Sequence, residues 1–274
     1  MMSESESFFE NILQRDRAIV TAALVVLVLT AWFYVLWLTG YMFPSAAGSM
    51  AGMDMPGMNM RPLSKPWGAT ELAVSFAMWS VMMVGMMTPS ATPMILIYTR
   101  VARQGAAQGT PFASSAWFAA GYLLAWCGFA LLASLAQALL VSTALVTPSL
   151  AATSNVFGAA VLIIAGLYQW SALKHQCLSQ CRAPLAFIQH NGGFRRDAGG
   201  ALKLGLKHGL YCIGCCWALM ALLFVFGVMN LLWIAALSIL VLMEKVVFPS
   251  WVMSQGVGLV LVGWGIIFAF RTLM

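Results

Sequence analysis

Charge is scarce in this sequence. Only 8 per cent of the 274 residues are Asp, Glu, Lys or Arg, whereas 62 per cent are apolar, so a water-soluble fold would have too little polar surface to enclose its core. A bilayer removes that difficulty, because lipid faces the apolar side chains while each helix satisfies its own backbone hydrogen bonds. The sequence also lacks any repeat of fixed period. It lacks the Gly-x-x-x-x-Gly-Lys-Ser/Thr phosphate loop, which leaves any transport to gradients or partner proteins. Six cysteines in a chain of this size do not make the disulfide framework of a small secreted domain. The net charge of +6 fits the Lys and Arg bias of cytoplasmic loops, with no nucleic acid as partner.

What the sequence does have is long apolar runs. They predict an all-α fold, a polytopic integral membrane helical bundle of about seven transmembrane helices, at residues 18–43, 69–99, 114–141, 151–173, 205–228, 230–247 and 252–271. The chain then divides into an N-terminal tail (1–17), a first helix (18–43), a Met-rich outer loop (44–68) and a six-helix membrane domain (69–274) with a basic loop at 174–204. The first run exceeds the h-region of a signal peptide and reads as an uncleaved anchor. Only Gly227 and Asn230 separate the fifth and sixth helices, and Pro249 with Ser250 marks the break before the last. In this arrangement Arg15, Arg17, Arg100, Arg103, Lys174, Arg182, Arg195, Arg196, Lys203, Lys207 and Lys245 fall on one side, and Arg61, Lys65 and Arg271 on the other. The positive-inside rule puts the N-terminus in the cytoplasm and the C-terminus outside.

Sulfur is abundant, and its placement carries the chemistry. Met50, Met53, Met55, Met58 and Met60 lie within eleven residues, interleaved with Gly, Pro, Asp54 and Asn59, so they form no hydrophobic helix face. Thioethers are soft neutral donors that favour copper(I) over zinc, calcium and magnesium. The plainer alternative is a Met-rich loop at the lipid interface. In the second helix Met78, Met82 and Met86 fall on one stripe at helical spacing, with Met83 and Met87 beside it and Met94 further on. Such a ladder can relay a soft ion by ligand exchange, and it equally suits helix packing. Pro89 and Pro93 interrupt the same helix and free carbonyls for the hydroxyls of Thr88, Ser90 or Thr92. Glu71 near its outer end reads as a headgroup-level charge.

On the cytoplasmic side Lys174-His-Gln-Cys177-Leu-Ser-Gln-Cys181-Arg182 puts two thiols four residues apart, on one face if the helix continues. In the fifth helix His208, Cys212, Cys215 and Cys216 share one side, at roughly 0, 40, 340 and 80° about the axis. A reduced compartment keeps these as thiols, and Lys174, Arg182 and Lys207 nearby favour the metal-binding thiolate. Two sulfurs suit copper(I); four suit tetrahedral zinc. Cys127 reads as a packing residue. Glu244 and Lys245 read as an interfacial couple that pairs with itself or snorkels. Residues 182–204 resemble an amphipathic segment on the inner leaflet. The three histidines, all near that side, give weak support to a haem ligand.

Several stretches together resemble a known family: Gly85-Met-Met-Thr-Pro-Ser-Ala-Thr-Pro-Met94, the Lys174–Arg182 run with Pro184, Gly209-Leu-Tyr-Cys-Ile-Gly-Cys-Cys-Trp-Ala-Leu-Met220, Gly227-Val-Met-Asn230 and Met243-Glu-Lys245. They are similar to the predicted metal-binding integral membrane proteins of unknown function, domain-of-unknown-function family 2182, over about residues 69–247. The resemblance implies a multi-pass bacterial inner-membrane protein that binds metal, with no activity carried over; the loop at 50–60 lies outside these motifs. The expected function is copper(I) binding in transport, homeostasis or delivery, with the bilayer and a copper chaperone or membrane cuproenzyme as partners, and not an enzyme. The alternatives are a thiol-based membrane oxidoreductase using Cys177, Cys181, Cys212 and Cys215, and a non-catalytic subunit of a larger membrane complex.

Overall fold

The computed structural model describes residues 20–37, 68–109, 112–143, 154–228, 230–246 and 250–271. They form helices α1 (Val20–Trp37), α2 (Ala69–Ala107), α3 (Ser115–Ser142), α4 (Asn155–Gln169), α5 (Ala172–Arg182), α6 (Pro184–His190), α7 (Ala198–Ala221), α8 (Leu223–Phe226), α9 (Leu231–Val246) and α10 (Ser250–Phe270), with no strand among the described residues. The loop bearing Met50, Met53, Met55, Met58 and Met60 lies outside the described residues.

The exterior is apolar, and the few polar and charged side chains of the bundle are enclosed in a core that is itself mostly apolar. Leu132, Leu139 and Val260 are 64 to 66 per cent exposed, while Gln137, Gln169, Lys174 and Glu244 are at most 3 per cent exposed. An apolar exterior, with the few charges enclosed and partnered, is what lipid selects. Five stretches, α1, α2, α3, α7 continued through α8, and α10, are long and apolar enough to cross a membrane, and the bent pair α4–α5 makes a sixth if it is one span. At 16 residues, α9 is roughly 24 Å long, against a hydrocarbon core of roughly 30 Å. Length and composition therefore support five or six spans and leave seven unsupported.

Two seams show how the helices approach. At the α3–α7 seam a side chain added to Gly205 would strike the Phe118 carbonyl, and one added to Gly121 would strike the Leu202 carbonyl. At the α4–α10 seam a Cβ on Gly166 would stand 2.9 Å from the Gly258 carbonyl oxygen. Small residues replace the missing hydrophobic drive between helices in lipid, because they let backbones meet.

Each expected helix has a counterpart among the described residues, and several ends differ. The second extends to Ala107, carrying Arg100 and Arg103 on the helix. The fourth does not run on through Lys174. It ends at Gln169, and a new helix starts at a 62° bend because the Ser171 hydroxyl accepts the Lys174 N–H at 3.2 Å as an N-cap. The fifth starts earlier, where Asp197 caps α7, so the basic connection is partly helical. The split before α9 falls where expected: Gly227 takes φ +97°, a conformation open to glycine, and Asn230 Oδ1 accepts the Leu232 N–H at 3.2 Å. The prolines leave α2 unbroken over 39 residues. Thr88 and Thr92 donate to Val84 and Thr88 carbonyls, and Ser90 to that of Met87. These are neighbours of the Gly85 and Pro89 carbonyls that the prolines deprive, so the expected rescue is indirect.

Candidate functional site

Sulfur collects where α2, α3, α5, α7 and α9 meet. His208, Cys212, Cys215 and Cys216 all face inward from α7, each at most 3 per cent exposed, as their spacing requires. Cys212 is the hub. Its sulfur lies 2.8 Å from Lys245 Nζ on α9 and 3.2 Å from the Tyr122 hydroxyl on α3. Its carbonyl accepts the Cys215 thiol at 3.0 Å and the Cys216 thiol at 2.9 Å. From α5, the half-buried Cys181 packs against the buried cluster that holds Cys212 and Cys215. Cys177, one turn earlier, abuts Gly214 so closely that a methyl group there would sit 2.7 Å from its sulfur. The spacing of four does bring both α5 thiols to α7.

The α2 methionines run to the same place. Met78, Met82, Met83, Met86, Met87 and Met94 are all at most 6 per cent exposed. Tyr122 donates to the Met87 carbonyl at 3.0 Å while touching Cys212, and Lys245 donates to Ser90 Oγ at 3.1 Å while touching the same sulfur. Tyr122 thus links the α2 backbone at Met87 to the Cys212 sulfur. His208 sits one turn before Cys212 among the rings of Phe187, Tyr122 and Phe118, at centroid separations of 5.1, 5.7 and 5.8 Å. Its buried Nδ1 has no hydrogen-bond partner among the described residues.

A second polar node lies on the other side of α9. Lys174 Nζ meets Glu244 Oε1 at 2.7 Å and Oε2 at 2.8 Å, and also donates to Gln169 Oε1. Arg182 donates to the Glu244 carbonyl at 3.1 Å, and the Ser254 hydroxyl approaches Oε1 at 3.5 Å. This node staples the α4–α5 bend to α9 and α10.

These contacts correct the sequence reading in two respects. Glu244 and Lys245 neither pair with each other nor snorkel: a step of about 100° along the helix turns one toward α4, α5 and α10 and the other toward α2, α3 and α7. The cations expected to serve the thiols serve other groups, Lys174 at Glu244, Arg182 at the Glu244 carbonyl and Lys207 at Asn191 Oδ1, 3.2 Å away. Lys245 takes that role instead, with Tyr122 and Ser90 as partners that sequence reasoning missed. The available signal was a lysine and a glutamate adjacent in an apolar helix, since neither is tolerated in lipid without a partner. No group of three or more His, Cys, Asp or Glu side chains among the described residues is arranged to hold a metal ion. What the site offers is several buried cysteines in the same core as the α2 methionines.

A family model described as PpoB2, copper chaperone, matches residues 76–268. No curated protein and no solved structure matches the chain. The matched region includes the whole cysteine cluster and the α2 methionines from Met78 onward, and it leaves out the loop at 50–60. It covers well over half of the sequence, and the chain belongs to this copper-related family, which carries a different description from the domain family 2182 it resembles.

Proposed function

We propose that this copper-chaperone family member is an integral membrane protein that takes up copper(I), its cargo, on sulfur inside the helix bundle and passes it to a partner such as a membrane cuproenzyme. One observation carries the reading: the buried methionines of α2 share one core with the buried cysteines of α5 and α7, and the Tyr122 hydroxyl joins the α2 backbone at the Met87 carbonyl to the Cys212 sulfur. Copper(I) is soft and is satisfied by two or three sulfurs. It can move between such ligands by exchange, one contact made before another is released, and never crosses the apolar core as a bare charge.

In this scheme Met50, Met53, Met55, Met58 and Met60 meet the ion first. Met78, Met82 and Met86 carry it through the bundle, and Cys181, Cys212 and Cys215 hold it most firmly, with Cys177, Cys216 and His208 as neighbouring ligands. Two thiolates on one copper(I) leave a net negative charge, and the Lys245 ammonium stands against it. The soft methionine sulfurs in the same core as the thiols support copper(I) over tetrahedral zinc. Clustering of Arg100, Arg103, Arg195, Arg196, Lys203 and Lys207 at one end supports a bacterial inner-membrane protein with that end cytoplasmic.

The test is competition for copper(I) against a chromogenic chelator, with reduced protein in detergent and without oxygen. Replacing Cys181, Cys212 and Cys215 together by Ser weakens binding by roughly tenfold or more; unchanged affinity in that variant removes the basis of the reading. Copper movement in sealed vesicles distinguishes transport from delivery.

A second reading, thiol–disulfide exchange, is favoured by Cys181 packing against the cluster that holds Cys212 and Cys215, the latter two spaced Cys-x-x-Cys. It predicts a reversible loss of two thiols in glutathione buffers at a potential set by Cys181, with no dependence on the methionines.

A further inference from the structure

Cations gather at one end of the bundle, around the α6–α7 connection. The C-terminal part of α2 is tied there, since the Ala113 N–H donates to the Arg195 carbonyl at 3.0 Å and the Tyr98 hydroxyl reaches it at 3.5 Å. Arg100, Arg103, Arg195, Arg196, Lys203 and Lys207 therefore share this end. The described residues include three acids, Glu71, Asp197 and Glu244. Glu71 lies at the opposite end of α2 and Glu244 is paired with Lys174, which leaves Asp197 as the acid at the basic end among the described residues. Its carboxylate accepts the Gly200 N–H at 2.5 Å as the cap of α7.

Within this end is a cavity of about 570 Å³ bordered by Asn191, Arg195, Asp197, Gly200, Lys203 and Lys207. Asn191 orients two of its cations: Arg195 Nη2 donates to the Asn191 carbonyl at 2.8 Å and Lys207 Nζ to Oδ1 at 3.2 Å. An arginine has five N–H donors and a lysine three, so donors remain for an anion. The cavity opens beside the N-terminus of α7, whose dipole adds positive potential.

We propose that this cavity binds the phosphate of an anionic membrane lipid. Free phosphate shares that chemistry; the outer face of α7 favours lipid. Lys203 and Lys207 are exposed there, and the same face continues with Leu210, 57 per cent exposed, and Trp217, 38 per cent exposed. Cations give way to lipid-facing apolar side chains within about 10 Å, which sets the cavity at headgroup level. The inference rests on the membrane part of the proposed function and is independent of copper.

The full chain is reconstituted in phosphatidylcholine vesicles with or without phosphatidylglycerol, then solubilised, and retained lipid is counted by native mass spectrometry. Wild type retains phosphatidylglycerol in preference to phosphatidylcholine. The variant Lys203→Gln/Lys207→Gln loses roughly fivefold of that preference per lysine. Asp197→Asn keeps a capping acceptor, removes the opposing charge and raises retention. Equal retention of both lipids by wild type, or full preference in the double variant, overturns the proposal. So does inorganic phosphate binding in detergent without lipid retention, which assigns the cavity to the free ion. Alkaline extraction of the vesicles separates the two failures: extracted protein contradicts the membrane reading, whereas resistant protein without lipid preference contradicts only this site.

Discussion

Glu244 and Lys245 are consecutive residues in the last turn of α9, and the bundle treats them in opposite ways. Glu244 is closed in: a lysine ammonium lies on both carboxylate oxygens, its carbonyl is held by Arg182, and the group joins α4, α5, α9 and α10. Lys245 meets one serine hydroxyl and one soft cysteine sulfur. A charge with a full set of hard partners is suited to holding helices together. A charge set against sulfur can remain when the sulfur exchanges its ligand. The first node is read as architecture and the second as the working site.

The largest effect expected is on the architectural side. Glu244→Ala leaves the Lys174 ammonium buried without its counter-charge and lowers stability by about 3–5 kcal/mol, seen as a fall in the thermal midpoint of the protein in detergent. Lys174→Met combined with Glu244→Leu recovers most of that loss, because no unpaired charge remains. The α3–α7 seam, which holds Tyr122 opposite Cys212, comes next. Gly205→Val drives a side chain into the Phe118 backbone and costs about 1–3 kcal/mol, with copper affinity falling as the seam opens.

On the sulfur side the order of effects reverses. Lys245→Met changes stability by less than about 1 kcal/mol and weakens copper(I) binding by roughly tenfold, measured by chelator competition. Equal destabilisation by the Lys245 and Glu244 variants would erase the distinction between the nodes. The smallest effect belongs to Cys127→Ser on α3: a half-buried thiol outside these contacts, it shifts stability by no more than about 0.5 kcal/mol and leaves copper binding alone.

Helix existence and the sulfur positions were legible in the sequence because both rest on local periodicity. Hydropathy marked the apolar runs, and the 3.6-residue repeat put His208, Cys212, Cys215 and Cys216 on one face without knowledge of any neighbour. The α4–α5 bend was not legible, since it depends on Ser171 capping a new helix within an apolar run that reads equally well as continuous. The partners of Glu244 and Lys245 were hidden for a different reason. Which way two adjacent side chains point is settled by helices up to 155 positions away in sequence, and long-range pairing leaves no trace in local pattern. The close helix approach at Gly205 and Gly209 was not read from the sequence, because the meaning of small residues four apart depends on the Phe118–Ala125 stretch facing them.

The most direct test of the account is X-ray absorption on copper(I)-loaded, oxygen-free protein, wild type against Cys181→Ser/Cys212→Ser/Cys215→Ser. The account predicts a first shell made of sulfur alone in wild type and a loss of short sulfur contacts in the variant. A shell dominated by nitrogen or oxygen, or a spectrum the three substitutions leave unchanged, would contradict it.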